Sequence, residues 1–372
     1  MTIAGSVHLL GDDLLDGSTA ISLSGSSNIK NNYTGIHSSF SKRIPALEAT
    51  THNGEKVQTL NAKLRVKRGR VGLFGKAQVG STDVSKNKVK ETVDATFVAD
   101  GWSGTSVASD GNRGDPKSVF SDNGWDASYD MGSKLKFPLL TDTYHEVSTG
   151  TTYLDSSTGE KYSTTDYWTQ VLTPKMYKGD MTITTNKDFY WNAQRPNDPY
   201  GKANSRSPDE DYILFNAKTN VMEVSGQVMI DGDLFLRQNK SKDQTIYFTG
   251  RAAILVAGNV DIDANLYSIN ADGSLTSSFP NANFLGIMAG GDLAVGRTAQ
   301  QYIMGAFYAQ GTFKSGKKTF IAGSVAANYF DFGKKVPAIY EVPARAEHLP
   351  MGLIGTAAGN SLTQVAWREL GS

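Results

Sequence analysis

The sequence predicts an all-β fold, a β-solenoid carrying an inserted β-hairpin module. Three observations predict it. From Val221 to Phe332 one small unit recurs, an apolar-alternating run, a glycine, a small polar residue and another apolar run. It reads Ile230-Asp231-Gly232-Asp233-Leu234, Ile262-Asp263-Ala264-Asn265-Leu266, Ala289-Gly290-Gly291-Asp292-Leu293, Ala309-Gln310-Gly311-Thr312-Phe313 and Ala322-Gly323-Ser324-Val325. No helical periodicity lies between the copies, as expected where strand and turn units stack into coils. Finally, residues 91–205 differ in composition, crowding Asp-Gly and Asn-Gly turns between aromatic-rich runs, the pattern of hairpins.

Within the repeat, Asp233, Asn265, Asp292, Thr312 and Ser324 are expected to form a polar ladder along one edge. The residues after them, Leu234, Leu266, Leu293, Phe313 and Val325, are expected to form an apolar ladder inside.

Four regions follow along the chain. Residues 1–90 hold N-terminal strands and the first coils: 6–10, 20–23, 63–67 and 70–74, the last two alternating cleanly around Arg68-Gly69. A short helix is expected from Ser39 to Leu47, stopped or kinked at Pro45. Residues 91–205 form the aromatic β insertion, ending in the proline-rich stretch from Arg195 to Asp209. Residues 206–333 are the main coils. Residues 334–372 leave the repeat, with Pro337, Pro343 and Pro350 unsuited to central strands, and close in a short alternating strand, 363–370.

The 372 residues carry 37 basic and 37 acidic side chains, a formal net charge of zero. Any nucleic-acid binding must therefore come from a local patch. The chain has no cysteine, which excludes disulfides and thiolate zinc sites. Its Ser, Thr, Asn, Gly and Tyr content fits an exported, extracellular protein. No run approaches the roughly 20 apolar residues that span a bilayer, and the opening Met1-Thr2-Ile3-Ala4-Gly5 has no signal-peptide pattern. Export would make this a trimmed chain.

Charge is segregated. From Lys63 to Lys90 nine bases (Lys63, Arg65, Lys67, Arg68, Arg70, Lys76, Lys86, Lys88 and Lys90) face one acid, Asp83, a net of +8. From Glu91 to Asp130 eight acids face Arg113 and Lys117, a net of −6. In a strand, Lys63, Arg65 and Lys67 share one face at about 6.6 Å spacing, close to the phosphate repeat of a nucleic-acid backbone. The nine bases are the candidate DNA-binding residues. The same pattern also describes a solvated edge strand that positive charge protects from aggregation.

Other signals are weaker. Tyr162, Tyr167 and Trp168 near Lys161, and Tyr177 near Lys175 and Lys178, suit stacking platforms for bases or sugars, or simply the core of the hairpins. The pairs Asp231/Asp233 and Asp261/Asp263 could converge into a calcium site or an acid/base pair, or cap the coils. Asp110 to Asp115 with Asp122 and Asp126 does not keep EF-hand spacing. Arg113-Gly114-Asp115 is an integrin-type tripeptide of the kind that arises by chance. His8, His37, His52, His145 and His348 are scattered, and nucleophile-elbow, P-loop and dinucleotide motifs are missing. The expectation is a protein that is not an enzyme and needs no cofactor, calcium excepted.

Several segments together resemble a known family: 64–80 (LRVKRGRVGLFGKAQVG), 250–266 (GRAAILVAGNVDIDANL), 284–296 (FLGIMAGGDLAVG), 304–313 (MGAFYAQGTF), 320–333 (FIAGSVAANYFDFG), 340–352 (YEVPARAEHLPMG) and the terminal VAWREL. They are similar to the competence-associated type IV minor pilins in which a β-solenoid is inserted. The resemblance covers about half the chain, and the order of the segments is its specific part. It implies a small pilin-like closing segment, a place at the cell surface on a pilus tip, partnership with other pilins, and capture of extracellular double-stranded DNA during uptake. Attachment to the membrane would run through an N-terminal helix missing from this sequence. The alternative is a surface adhesin or carbohydrate-active solenoid, with the aromatic insertion holding glycans.

Overall fold

A computed structural model describes residues 1–9, 19–52, 55–60, 62–66, 70–79, 95–98, 145–146, 151–152, 176–195, 210–239, 245–332 and 336–343. The class is all-β. Among the described residues the only α-helix is the single turn Ser38–Ser41, shorter than the expected Ser39–Leu47; Lys42 closes it before Pro45 can break it.

Most strands pair in parallel and in register, layer on layer, and the longest of them bend round corners (Val221–Asp231, Thr245–Val256, Gln301–Ser315, Thr319–Asp331). Each layer thereby contributes to three walls. The first wall joins residues 221–225, 245–250, Asn265–Ser268, 301–304, 319–322 and Ala338–Tyr340. The second joins Met176–Lys178, 226–231, 251–256, Phe284–Ala289, 306–309 and 324–327. The third joins Met181–Thr184, Leu234–Arg237, Val260–Asp263, Leu293–Val295, 313–315 and 330–331. At one end the parallel ladder is finished by two antiparallel strands, Tyr212–Asn216 and Phe189–Asn192, whose Phe215 and Trp191 are buried.

The N-terminal residues extend this stack at its other end. Thr2–Ala4 pairs in parallel with Ala338–Tyr340 on one side and Asn28–Lys30 on the other, and Gln78–Val79 follows. Val7–Leu9, Lys63–Val66 and Ala95–Val98 form a second parallel set, and Thr19–Leu23 pairs with Arg70–Leu73 as a third. Space and sequence therefore disagree about order. The chain begins in the middle of the stack, builds to one end by Val98 and resumes at the opposite end at Met176.

The expected limits of the insertion, 91–205, are too wide on both sides. Residues 95–98 pair with 63–66, and Met176–Lys178 and Met181–Thr184 pair in register with the layer that follows them. The aromatic residues at 177–191 belong there because they close the apolar end of the stack: Tyr177 meets Phe189 at 6.1 Å and Trp191 at 6.0 Å between ring centroids. Of the remaining segment, only an antiparallel pair, His145–Glu146 with Thr151–Thr152, is described.

The repeat itself has a simple cause. Asp233 donates its amide to Asp180 Oδ1 at 2.9 Å, Asn259 to Asp233 Oδ1 at 2.7 Å, Asp292 to Asn259 Oδ1 at 2.9 Å and Thr312 to Asp292 Oδ1 at 2.8 Å. Each side chain caps the turn of the next layer. The residue before each donor (Gly232, Gly258, Gly291, Gly311) must lack a Cβ, which would collide with the capping oxygen. This corrects the expected polar ladder. Its member in the second layer is Asn259, not Asn265, which sits at the next corner and accepts from the Tyr302 amide. Ser324 lies after Gly323, at the corner between the first and second walls, in register with Ala306. The apolar column is corrected in the same way. Met181, Leu234, Val260, Leu293 and Phe313 stack, all buried, whereas Leu266 stacks with Ile246 and Ile303, and Val325 with Phe307.

Outside the first wall runs a row of rings, Tyr247, Tyr267, Tyr302 and Phe320, with neighbouring centroids 6.4, 6.3 and 4.9 Å apart. The excursion after Lys30 folds back over it. Phe40 packs edge-on against Tyr267, Tyr302 and Tyr340, and Arg43 lies 4.6 Å over the Tyr267 ring with its Nε–H bonded to the Ser268 carbonyl. This row is thus filled by the chain's own residues.

Candidate nucleic-acid interface

The basic strand forms where alternation requires it. In Lys63–Val66, Leu64 and Val66 are fully buried while Lys63 and Arg65 are half-buried on the outer side. The strand is central, not an edge. It pairs with Val7–Leu9 on one side and Ala95–Val98 on the other, so its charges are not there to guard an open edge.

Register places His8 and Phe97 beside Arg65, and Ala95 beside Lys63. His8 is partly buried, and this burial, reinforced by the charges of Arg65 and Lys63, pulls its imidazole down to about 3. The ring is therefore neutral at physiological pH and the outer face at this point owes its charge to Lys63 and Arg65.

Of the nine bases, the four that are described, Lys63, Arg65, Arg70 and Lys76, do not all lie on one strand. Arg70 starts the strand Arg70–Leu73, around a corner from Lys63 and Arg65, and Lys76 is exposed in the turn after it. Lys63 and Arg65 are thus two half-buried cations about 6.6 Å apart on one side of a central strand. Lys67, Arg68, Lys86, Lys88 and Lys90 lie outside the described residues, as do Arg113-Gly114-Asp115, the Asp110 to Asp126 loop, Lys161, Tyr162, Tyr167, Trp168 and Lys175.

Tyr177, Phe189 and Trp191 serve the core, with Tyr177 packed on the other two. The carboxylate pairs do not converge. Asp231 is exposed and pairs with Lys178 at 3.3 Å, while Asp233 caps Asn259. Asp263 accepts from the Thr298 amide and hydroxyl at 3.0 and 2.7 Å. Asp261 lies 3.9 Å from Arg237 and 3.5 Å from Arg297; burial raises its pKa, against the pull of the two guanidiniums. Among the described residues no cluster of three His, Cys, Asp or Glu side chains could hold a metal ion. The Arg237 and Arg297 pair is a second cationic point that sequence reasoning did not single out, because the two lie in different layers and only stacking brings them to one carboxylate.

No helix among the described residues is long and apolar enough to cross a membrane. No protein-family model matches the chain, and no curated protein matches it. Among solved structures, the crystal structure of the competence-associated pilin ComZ from Thermus thermophilus aligns with a TM-score of 0.60 at 20% sequence identity, over 95% of this chain and 68% of that one. At that identity the likeness is one of fold, and the chain shares its β architecture with a competence-associated pilin.

Proposed function

We propose that this chain is the body of a competence-associated type IV minor pilin, a cell-surface β-solenoid that binds double-stranded DNA without sequence preference during uptake. The observation that carries this reading is the fold match to a competence-associated pilin over 95% of the chain. The three-walled parallel ladder supports the solenoid, because each layer adds one rung of about 4.8 Å to every wall. The outer-facing Lys63 and Arg65 on a rigid central strand support the DNA contact. No helix suited to the major groove accompanies them among the described residues, so the contact would be to phosphates and strongly salt-dependent.

The partners in this reading are double-stranded DNA and other pilins, and the place is the pilus tip. The test is fluorescence anisotropy with duplexes of unrelated sequence across a salt series. Similar affinities for all duplexes, falling steeply with salt, are expected. A preference for one sequence, or binding to glycans in place of DNA, would overturn the reading.

A further inference from the structure

The corners of the stack differ in charge. The corner between the second and third walls carries Asp180, Asp231, Asp233 and Asp292, and the cations beside it are already paired, Lys178 with Asp231 at 3.3 Å and Lys314 with Asp292. The corner between the third and first walls is the reverse. Its turns at 296–300, 316–318, 24–27 and 74–77 contain no acid. They present Arg297, Lys317, Lys318 and Lys76, all exposed.

Register puts these cations in one row along the stack. Tyr302, Phe320, Ala338, Thr2, Asn28 and Gln78 are successive partners where the chain enters the first wall. Lys318 and Lys76 each stand two residues before their member of this series, so they hold equivalent corner positions four layers apart, about 19 Å. Arg297 lies one layer further along. The Gly316 amide donates to the Val295 carbonyl at 3.0 Å, and a Cβ on Gly316 would come within 3.3 Å of the Arg297 Cα. At the other end of the row the Lys76 amide donates to the Gly25 carbonyl at 2.8 Å, stacking one turn on the next. From Arg297 to Lys76 the row spans five spacings, about 24 Å.

The charge of this row faces solvent. Arg297 lies 3.5 Å from Asp261, yet its side chain is 61% exposed against 12% for the carboxylate, so the open side of that pair is cationic. Lys76, Lys317 and Lys318 pair with no carboxylate among the described residues. The Lys318 ammonium rests 4.9 Å over the Phe320 ring. The exposed Asp331 of the third wall is in register with Lys314, away from these turns. A chain of zero net charge thus carries a local basic edge. A row of exposed cations in acid-free turns suits a linear polyanion, and about 24 Å matches roughly seven phosphates of one DNA strand at 3.4 Å each.

We propose that the corner between the third and first walls is a second contact for duplex DNA, with Arg297, Lys317, Lys318 and Lys76 meeting the phosphates of a duplex laid lengthwise along the stack. This rests on the DNA reading above and adds to it a surface separate from Lys63 and Arg65, which lie on the second wall. Contacts of this kind position the duplex and read no sequence.

The experiment measures duplex binding by anisotropy across a salt series, first with the unsubstituted chain and then in the Lys63→Ala, Arg65→Ala background, where the second wall no longer contributes. Residual binding is expected in that background. Adding Lys76→Ala, Lys317→Ala and Lys318→Ala should weaken it further and lower the slope of log K against log salt by about 2.7, three contacts at 0.9 each. Adding Lys56→Ala, Lys178→Ala and Lys218→Ala instead removes the same charge from exposed positions elsewhere and should do much less. No binding by the unsubstituted chain would overturn the DNA reading and this inference with it. Binding by the unsubstituted chain that vanishes with Lys63 and Arg65, or an equal loss from the two triple sets, would overturn this inference alone. A second measurement needs no substitution. Bound duplex should shield Lys76, Lys317 and Lys318 from amine acetylation, read by mass spectrometry, and leave Lys56 and Lys218 as reactive as before; full reactivity of all three corner lysines in the complex would overturn the proposal.

Discussion

The Asp233 carboxylate holds the Asn259 amide at 2.7 Å, and the residue before that amide, Gly258, leaves no room for a Cβ because it would collide with the same oxygen. Cap and glycine are two halves of one device, repeated at four successive layers of the corner between the second and third walls. Asp233→Ala should cost about 1–3 kcal/mol, since an amide at a tight turn loses its acceptor. Gly258→Ala should cost at least as much through overlap. In the Asp233→Ala background the Gly258→Ala penalty should shrink but persist, because the Gly232 carbonyl, 2.8 Å from the added carbon, also opposes it. Denaturant titration of the four proteins checks this; strict additivity would sink the coupling.

This device was legible in the sequence because turn chemistry is local. Gly-Asp before an apolar residue announces a corner wherever it occurs. What the sequence does not announce is which corner. Ala264-Asn265 and Gly323-Ser324 have the right composition but sit one corner further round, and Leu266 and Val325 move with them into other columns. The number of residues between corners varies, through excursions such as 269–283, so equivalence is decided only by pairing between layers. The position of Thr2–Ala4 between Ala338–Tyr340 and Asn28–Lys30 is a still longer-range fact. For the candidate site, alternation correctly set Lys63 and Arg65 against Leu64 and Val66. Its central place needed Val7–Leu9 and Ala95–Val98, which carry no basic signature and lie far from it along the chain.

His8 supplies a pH dependence with a definite sign. Burial first, then Arg65 and Lys63, lower its pKa from the ordinary value near 6.5 to about 3 in the fold. Between those values the unfolded chain binds a proton that the folded chain refuses. Stability is therefore fullest above pH 6.5 and falls as pH drops toward 3, with a slope from this residue approaching about 1.4 kcal/mol per pH unit. His8→Gln should flatten the stability profile between pH 6.5 and 5 relative to the unsubstituted chain. The other histidines are common to both proteins and cancel in the difference. Parallel profiles would show that His8 titrates normally.

Lys63→Ala with Arg65→Ala should weaken binding of all duplexes alike. Each lost phosphate contact lowers the slope of log K against log salt by about 0.9, so the double variant should lose about 2. The buried Leu64 and Val66 stay in place, so the strand should persist, and unchanged circular dichroism would confirm that the loss is one of charge. Unchanged affinity and slope would move the contact off this strand, toward Lys76 and the remaining bases of the run.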